Sequence, residues 1–145
     1  MKRFRFNLEK VLKLREHNEQ EAKIELGRAT SALAEIEKKI DDNARARAQS
    51  ATERFSALGG GGASGALSMF SWDAYIQRLE LEALVLAEQA AKAEKIVEEK
   101  RELYVAASRE LKAMEKLREK RALEHRKEMF AGQTRELDDL RRALP

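Results

Sequence analysis

The stretch from Ser71 to Phe130 contains neither proline nor glycine. Its apolar residues recur in steps of three and four, from Trp72 to Met114, which predicts one continuous helix. At a rise of 1.5 Å per residue such a helix is about 90 Å long, whereas a compact domain of this chain length is about 30–40 Å across. The helix therefore has to be covered along its length, and residues 1–58 are the only segment long enough to cover it.

The composition agrees with an elongated helical protein. Charged residues make up 38% of the 145 residues and aromatic residues only 6%, whereas globular domains carry about a quarter charged residues. The chain has no cysteine, which excludes disulfides and thiolate metal sites. No apolar run approaches the roughly 20 residues that a membrane-spanning helix needs.

Residues 1–58 carry a similar row of largely apolar positions and are predicted to form the first helix. We call such a row the seam of its helix, because in a coiled coil it faces the partner helix. From Leu8 to Ile40 the seam positions alternate in steps of four and three, which is the heptad spacing of a coiled coil. Two successive steps of four after Ile40 predict a stutter that locally unwinds the supercoil. Beyond it, the apolar residues that continue the seam are Ala44, Ala48, Ala51, Phe55 and Leu58.

Residues 59–70 are predicted to form a glycine-rich turn. Each glycine of the run Gly59–Gly62 would cost a helix about 1 kcal/mol relative to alanine, so the first helix is expected to end here. A phosphate-binding loop would need Gly-Lys-Ser/Thr at the start of the next helix, and the sequence lacks it. Ser71 is the expected N-cap of the second helix, with Phe70 packed on Tyr75 as a hydrophobic staple.

The second helix is predicted over residues 71–131. Its apolar seam stops near Met114, and residues 115–128 are polar nearly all round. Such a helix is either solvated or covered by a partner, and the sequence leaves both interpretations open. Gly132 is expected to break or bend the helix, which makes residues 132–145 a C-terminal helical overhang.

The two seams predict an all-α fold, a long antiparallel two-helix coiled coil. Folding about a centre near Gly65 places Ala51 opposite Leu79 and Leu33 opposite Val97, so that large residues repeatedly face small ones. The same arrangement brings the basic N-terminus beside the basic residues that follow Met114.

The sequence shows no catalytic constellation, so the chain is not expected to be an enzyme or to hold a cofactor or metal. The only histidines, His17 and His125, lie among charged residues and are interpreted as solvated helix residues. A two-helix coil also offers no enclosed pocket in which side chains could acquire unusual acidity. Tyr75 lies one position off the seam and is a candidate for an exposed contact.

Three stretches resemble the FliJ family of flagellar export stalk proteins, which is related to stalk proteins of type III secretion. Phe4, Phe6, Leu8, Val11 and Leu12 follow the family's opening pattern Phe-x-Phe-x-Leu-x-x-Val-Leu. The other two are Trp72-x-x-Tyr75-Ile76-x-x-Leu79 after the turn and Leu117-Arg118-Glu119-Lys120-Arg121. The resemblance extends over nearly the whole chain.

This resemblance implies a role in flagellum biogenesis, motility and protein export. The expected partners are the hexameric export ATPase (FliI-like), whose ring the terminal end enters, and the membrane-embedded export gate (FlhA-like). A chaperone-escort role is also implied. The protein is expected in the cytoplasm, at the cytoplasmic face of the inner membrane, held there through its partners. The expected ATPase-binding residues are Arg3, Arg5, Arg118, Lys120, Arg121, Arg126 and Lys127, and the expected gate-binding residues are Tyr75 and Leu79.

Two other classes of function are compatible with parts of the sequence. One is a coiled-coil spacer or dimerisation protein with no ATPase partner. The other is a nucleic-acid binder that uses the basic end, which is disfavoured because its basic residues alternate with glutamate and no aromatic platform accompanies them.

Overall fold

The computed structural model describes residues 2–59 and 63–145. Helix α1 spans Glu9–Leu58 and helix α2 spans Ala63–Ala143, and no strand forms within the described ranges. The predicted all-α hairpin of two long helices is therefore confirmed. The central glycines of the predicted turn, residues 60–62, lie outside the described residues. The chain divides into two units: unit 1 comprises Met1–Ile24 with Glu102–Pro145, and unit 2 comprises Glu25–Arg101.

In unit 1, the start of α1 packs against the C-terminal part of α2. The chain is not helical before Glu9, whose amide donates a hydrogen bond to the Phe6 carbonyl at 3.1 Å, so the first residues of the 1–58 segment precede the helix. Leu12 is only 2% exposed and anchors this unit. Arg15 on α1 and Glu110 on α2 form an ion pair at 2.6 Å.

In unit 2, the predicted seam of α2 is confirmed. Leu79, Leu86, Ala93 and Val97 are all buried, and they recur in steps of seven or four, as residues on one helix face do. From α1 they meet a half-buried row that includes Leu33, Ile36 and Ile40. Burial of this apolar row is the main favourable term that holds the two helix segments together.

The stutter predicted after Ile40 is wrong. The α1 positions that turn inward beyond Ile40 continue in strict steps of three and four, whereas the alanines of the predicted seam are exposed. Asn43 is 5% exposed, while Phe55, predicted in the seam, is 76% exposed. The inward positions are Asn43, Arg47, Ser50, Arg54 and Ala57.

Polar contacts account for two of the polar residues in this part of the seam, Asn43 and Arg54. The Asn43 side-chain amide donates a hydrogen bond to the Leu79 carbonyl at 3.0 Å. Near the turn, the Arg54 guanidinium donates to the Asp73 carboxylate at 2.6 Å. A buried polar group that finds a partner avoids most of its desolvation cost. The helix can therefore keep its regular heptad spacing even though this places polar residues, rather than the neighbouring alanines, in the seam.

The predicted register is also wrong, because Asn43, rather than Ala51, contacts Leu79. The cause lies at the turn. Helix α2 begins at Ala63, so Ser71 is inside the helix and cannot cap its start, and Phe70 is exposed instead of packing as a staple. A shorter connection moves the centre of the fold-back towards the N-terminus, which shifts the pairing of Leu79 from Ala51 to Asn43.

Of the two outcomes predicted for Gly132, a break or a bend, the break does not occur, since α2 continues through Gly132 to Ala143. A Cβ added at Gly132 would meet nothing within 4 Å, so no close packing requires glycine here. The apolar residues of the C-terminal stretch, Leu137 and Leu140, are exposed.

Replacing Asn43 with Leu should raise the melting temperature. The Asn43 carbonyl oxygen Oδ1 has no hydrogen-bond partner among the described residues, and a buried asparagine in a coiled-coil seam lowers stability while it fixes register. Thermal unfolding followed by far-UV circular dichroism should show a gain of about 1 kcal/mol. A lower melting temperature would mean that the bond to the Leu79 carbonyl is worth more than the apolar contact that replaces it.

Candidate partner-binding surfaces

The non-helical N-terminal segment packs against α2 beyond Met114. The rings of Phe4 and His125 lie 5.5 Å apart between centroids, tilted by 55°. Phe4, Phe6 and Leu117 line an open groove of about 430 Å³. The inward row of α2 therefore does not stop at Met114 as predicted, and His125 is half-buried against an aromatic ring rather than freely solvated.

Carboxylates accompany part of the predicted ATPase-binding set in unit 1. Arg118 lies 3.5 Å from Glu9 on α1, and Arg121 lies 3.9 Å from Glu124. Exposed ion pairs of this kind contribute about 0–1 kcal/mol each. Their main effect is on charge, because an arginine beside a carboxylate presents little net charge to an approaching partner.

The outer face of α2 in unit 1 carries a row of basic residues, which we call the cationic stripe. Its members recur in steps of three or four, apart from one gap that Leu123 fills, so they share one face of the helix. All are exposed, and among the described residues none of them forms an ion pair within 4.0 Å. Phe130 continues the row and is 68% exposed. The cationic stripe consists of Arg109, Lys112, Lys116, Lys120 and Lys127.

The residues that the sequence predicted for ATPase binding fall into different surroundings in the structure. Lys120 and Lys127 belong to the cationic stripe, and Arg126 is exposed beside it. Arg3 and Arg5 lie on the N-terminal segment, where Arg5 borders the groove at Phe4. The predicted set did not include the other three members of the stripe, Arg109, Lys112 and Lys116, although their spacing in steps of three and four is visible in the sequence.

The two residues predicted for gate binding, Tyr75 and Leu79, lie in unit 2 and differ in their exposure. Tyr75 is half-buried, with its ring 6.2 Å from the Trp72 ring in an edge-on arrangement and the Arg78 guanidinium 5.3 Å above it. Leu79 is only 6% exposed. Its side chain belongs to the seam and is not available to a partner in this conformation, so only Tyr75 is kept as a candidate contact.

Replacing Phe4 with Ala should release the N-terminal segment from α2. The Phe4 ring supplies the aromatic contact to His125, and its loss should cost about 1–2 kcal/mol of local stability. Hydrogen exchange at the Glu9 amide, which donates to the Phe6 carbonyl, should become faster, while exchange in unit 2 stays unchanged. The matched control is Phe130→Ala, which removes an exposed ring. Equal exchange in both variants would contradict the anchoring role of Phe4.

The fold defines the class of the protein, an antiparallel two-helix coiled coil. Its candidate partner-binding surfaces are the cationic stripe and the region around Tyr75. No cluster of three or more metal-ligating side chains occurs in the part of the chain that the structure describes. None of the described helices contains a stretch long and apolar enough to span a bilayer.

The chain matches the family model of the flagellar FliJ protein over residues 4–144. It therefore belongs to the FliJ family, and the resemblance noted in the sequence is confirmed. No curated protein and no solved structure matches the chain. Family membership supports a role connected with flagellar export.

Proposed function

We propose that the protein is a stalk of the flagellar export apparatus. In this proposal its terminal end, unit 1, inserts into the ring of the export ATPase and promotes assembly of that ring. Family membership supports a role in export. The observation that carries the ring contact is the cationic stripe, whose side chains are exposed and have no carboxylate partner among the described residues.

The stripe has the properties of a surface that guides association. Its charges lie on one face of a regular helix, so their fields add in one direction. Exposed charges of this kind increase association rate and set orientation more than they add affinity. The matching partner surface is acidic, and Leu123 and Phe130 can add apolar contact within the same row.

The other parts of the proposal concern unit 2 and the location in the cell. Tyr75 is the candidate contact for the export gate, and the Arg78 guanidinium over its ring presents a cation at the same point. We place the protein at the cytoplasmic face of the inner membrane, held through its partners, and an escort role for export chaperones is part of the same proposal.

The test uses the full chain and the export ATPase of the same organism. Adding the chain should raise the rate of ATP hydrolysis and shift the ATPase towards hexamers in sedimentation. Neither effect would occur for a coiled-coil spacer without an ATPase partner, so a null result in both assays would refute the proposed stalk function.

A polyanion such as nucleic acid is the second candidate partner, and the cationic stripe favours it. Within the stripe the basic residues follow one another without an intervening glutamate, although Glu119 lies beside them, three residues after Lys116. A steep fall of DNA affinity with rising salt would indicate phosphate contacts. The aromatic platform typical of single-strand binders is reduced here to Phe130 alone, so the ATPase remains the preferred partner.

A further inference from the structure

A second apolar row runs along α2 in unit 2, on the face opposite the seam. Its residues alternate in steps of three and four, with Gln77 in the one polar place between Ala74 and Leu81. All are exposed, Leu81 by 65% and Leu84 by 69%. The row consists of Leu67, Phe70, Ala74, Leu81 and Leu84.

This row differs from the scattered apolar residues that every protein surface carries. Alternating steps of three and four form a continuous stripe on a helix, as in the seam of a coiled coil. Since the opposite face of the same segment is already buried through Leu79 and Leu86, this part of α2 is apolar on both sides. Helices of that kind are normally covered on both sides.

We propose that the row binds the same row of a second copy, so that two α2 helices form a parallel coiled coil. In this arrangement each residue of the row meets its own counterpart, Leu81 against Leu81 and Leu84 against Leu84. The two Gln77 amides can hydrogen-bond to each other, because an amide both donates and accepts. The contact ends at Glu88, where two carboxylates would face each other.

Charge on the edges of the row selects the parallel direction. One edge carries Asp73 and Glu80, and the other carries Arg78. In a parallel pair the acidic edge of one copy faces the basic edge of the other, as charged residues do in parallel coiled coils. In an antiparallel pair acidic edges would meet and repel each other. Asp73 already accepts from Arg54 through Oδ1, which leaves Oδ2 for Arg78 of the second copy.

Cysteine cross-linking tests the direction, because the natural chain has no cysteine. Ala74→Cys and Leu84→Cys, made separately, should each give disulfide-linked dimers on mild oxidation, since a parallel pair brings every row position near its own counterpart. An antiparallel pair has only one self-opposed position. Cross-linking at only one of the two sites would therefore overturn the parallel arrangement, as would equal cross-linking of the exposed α1 control Ala32→Cys.

Sedimentation equilibrium tests the self-association itself. The full chain should show a concentration-dependent dimer, and Leu81→Ser with Leu84→Ser should raise its dissociation constant by about 100-fold. Neither side chain belongs to the seam, so helicity should be retained. The matched control Leu103→Ser, exposed on α2 outside the row, should leave the dimer unchanged. A chain that is monomeric at every soluble concentration, or a dimer that tolerates the double change, overturns the proposal.

Discussion

Replacing Val97 with Asp should lower the free energy of unfolding by about 3 kcal/mol or more. Val97 is buried in the seam of unit 2, so the new carboxylate would lose its hydration between two helices. Lys100, three residues further along α2, is already 3.9 Å from Glu25 and is half-exposed. Thermal unfolding by circular dichroism should show a fall of roughly 10 °C.

The control for this change is Glu35→Gln on the outer face of α1. Glu35 is exposed, so its replacement should change stability by less than about 0.5 kcal/mol. A melting temperature that falls equally in both variants would show that the seam of unit 2 does not hold the helices together. Denaturant unfolding of the same variants would separate loss of stability from loss of cooperativity.

The α2 half of the seam could be predicted from sequence because its buried positions are apolar. Leu79, Leu86 and Val97 satisfy both criteria used in reading a heptad, the correct spacing and an apolar side chain. The α1 half could not be predicted beyond Ile40, where those criteria separate. There the heptad spacing predicts Asn43 as the next buried position, whereas the preference for apolar side chains predicts Ala44. The sequence of α1 alone does not show that the Leu79 carbonyl of α2 can accept a hydrogen bond from the asparagine.

The start of α2 was missed for a related reason. Ser71 follows Phe70 in a good capping sequence, and a local signal of this kind predicts a helix start without regard to the preceding residues. The helix begins earlier at Ala63, in a segment that contains Gly65 and has weak helix propensity. Extending an existing helix backwards costs little beyond the low propensity of such residues, about 1 kcal/mol per glycine, because the unfavourable step is nucleation and not propagation.

The proximity of the N-terminal segment to the basic part of α2 could be predicted from the sequence, but the ion pairs of its arginines could not. Sequence reasoning correctly brought the N-terminal residues beside the basic part of α2, since both lie in unit 1 and Phe4 contacts His125. It could not tell which basic residues have carboxylate neighbours. Arg118 beside Glu9 looks the same in the sequence as Lys120, although one belongs to an ion pair across the helices and the other to the cationic stripe.

Reversing three charges of the cationic stripe should abolish stimulation of the export ATPase. The variant carries Lys112→Glu, Lys116→Glu and Lys120→Glu, so an acidic partner surface would meet repulsion where it now meets attraction. The association rate at low salt should fall by about 10–100-fold. New like-charge pairs on the helix cost only about 0.2–0.5 kcal/mol each, so far-UV circular dichroism should stay close to that of the natural chain.

Two controls make this result specific to the stripe. Lys38→Glu, Lys39→Glu and Lys95→Glu change the net charge equally but lie in unit 2, and they should leave stimulation intact. Arg118→Glu with Arg121→Glu alters the paired arginines and places new carboxylates beside Glu9 and Glu124, so the melting temperature should fall along with any loss of activity. If this second variant abolishes stimulation at full stability while the stripe variant does not, the ring contact lies on the arginines beside α1 rather than on the outer face of α2.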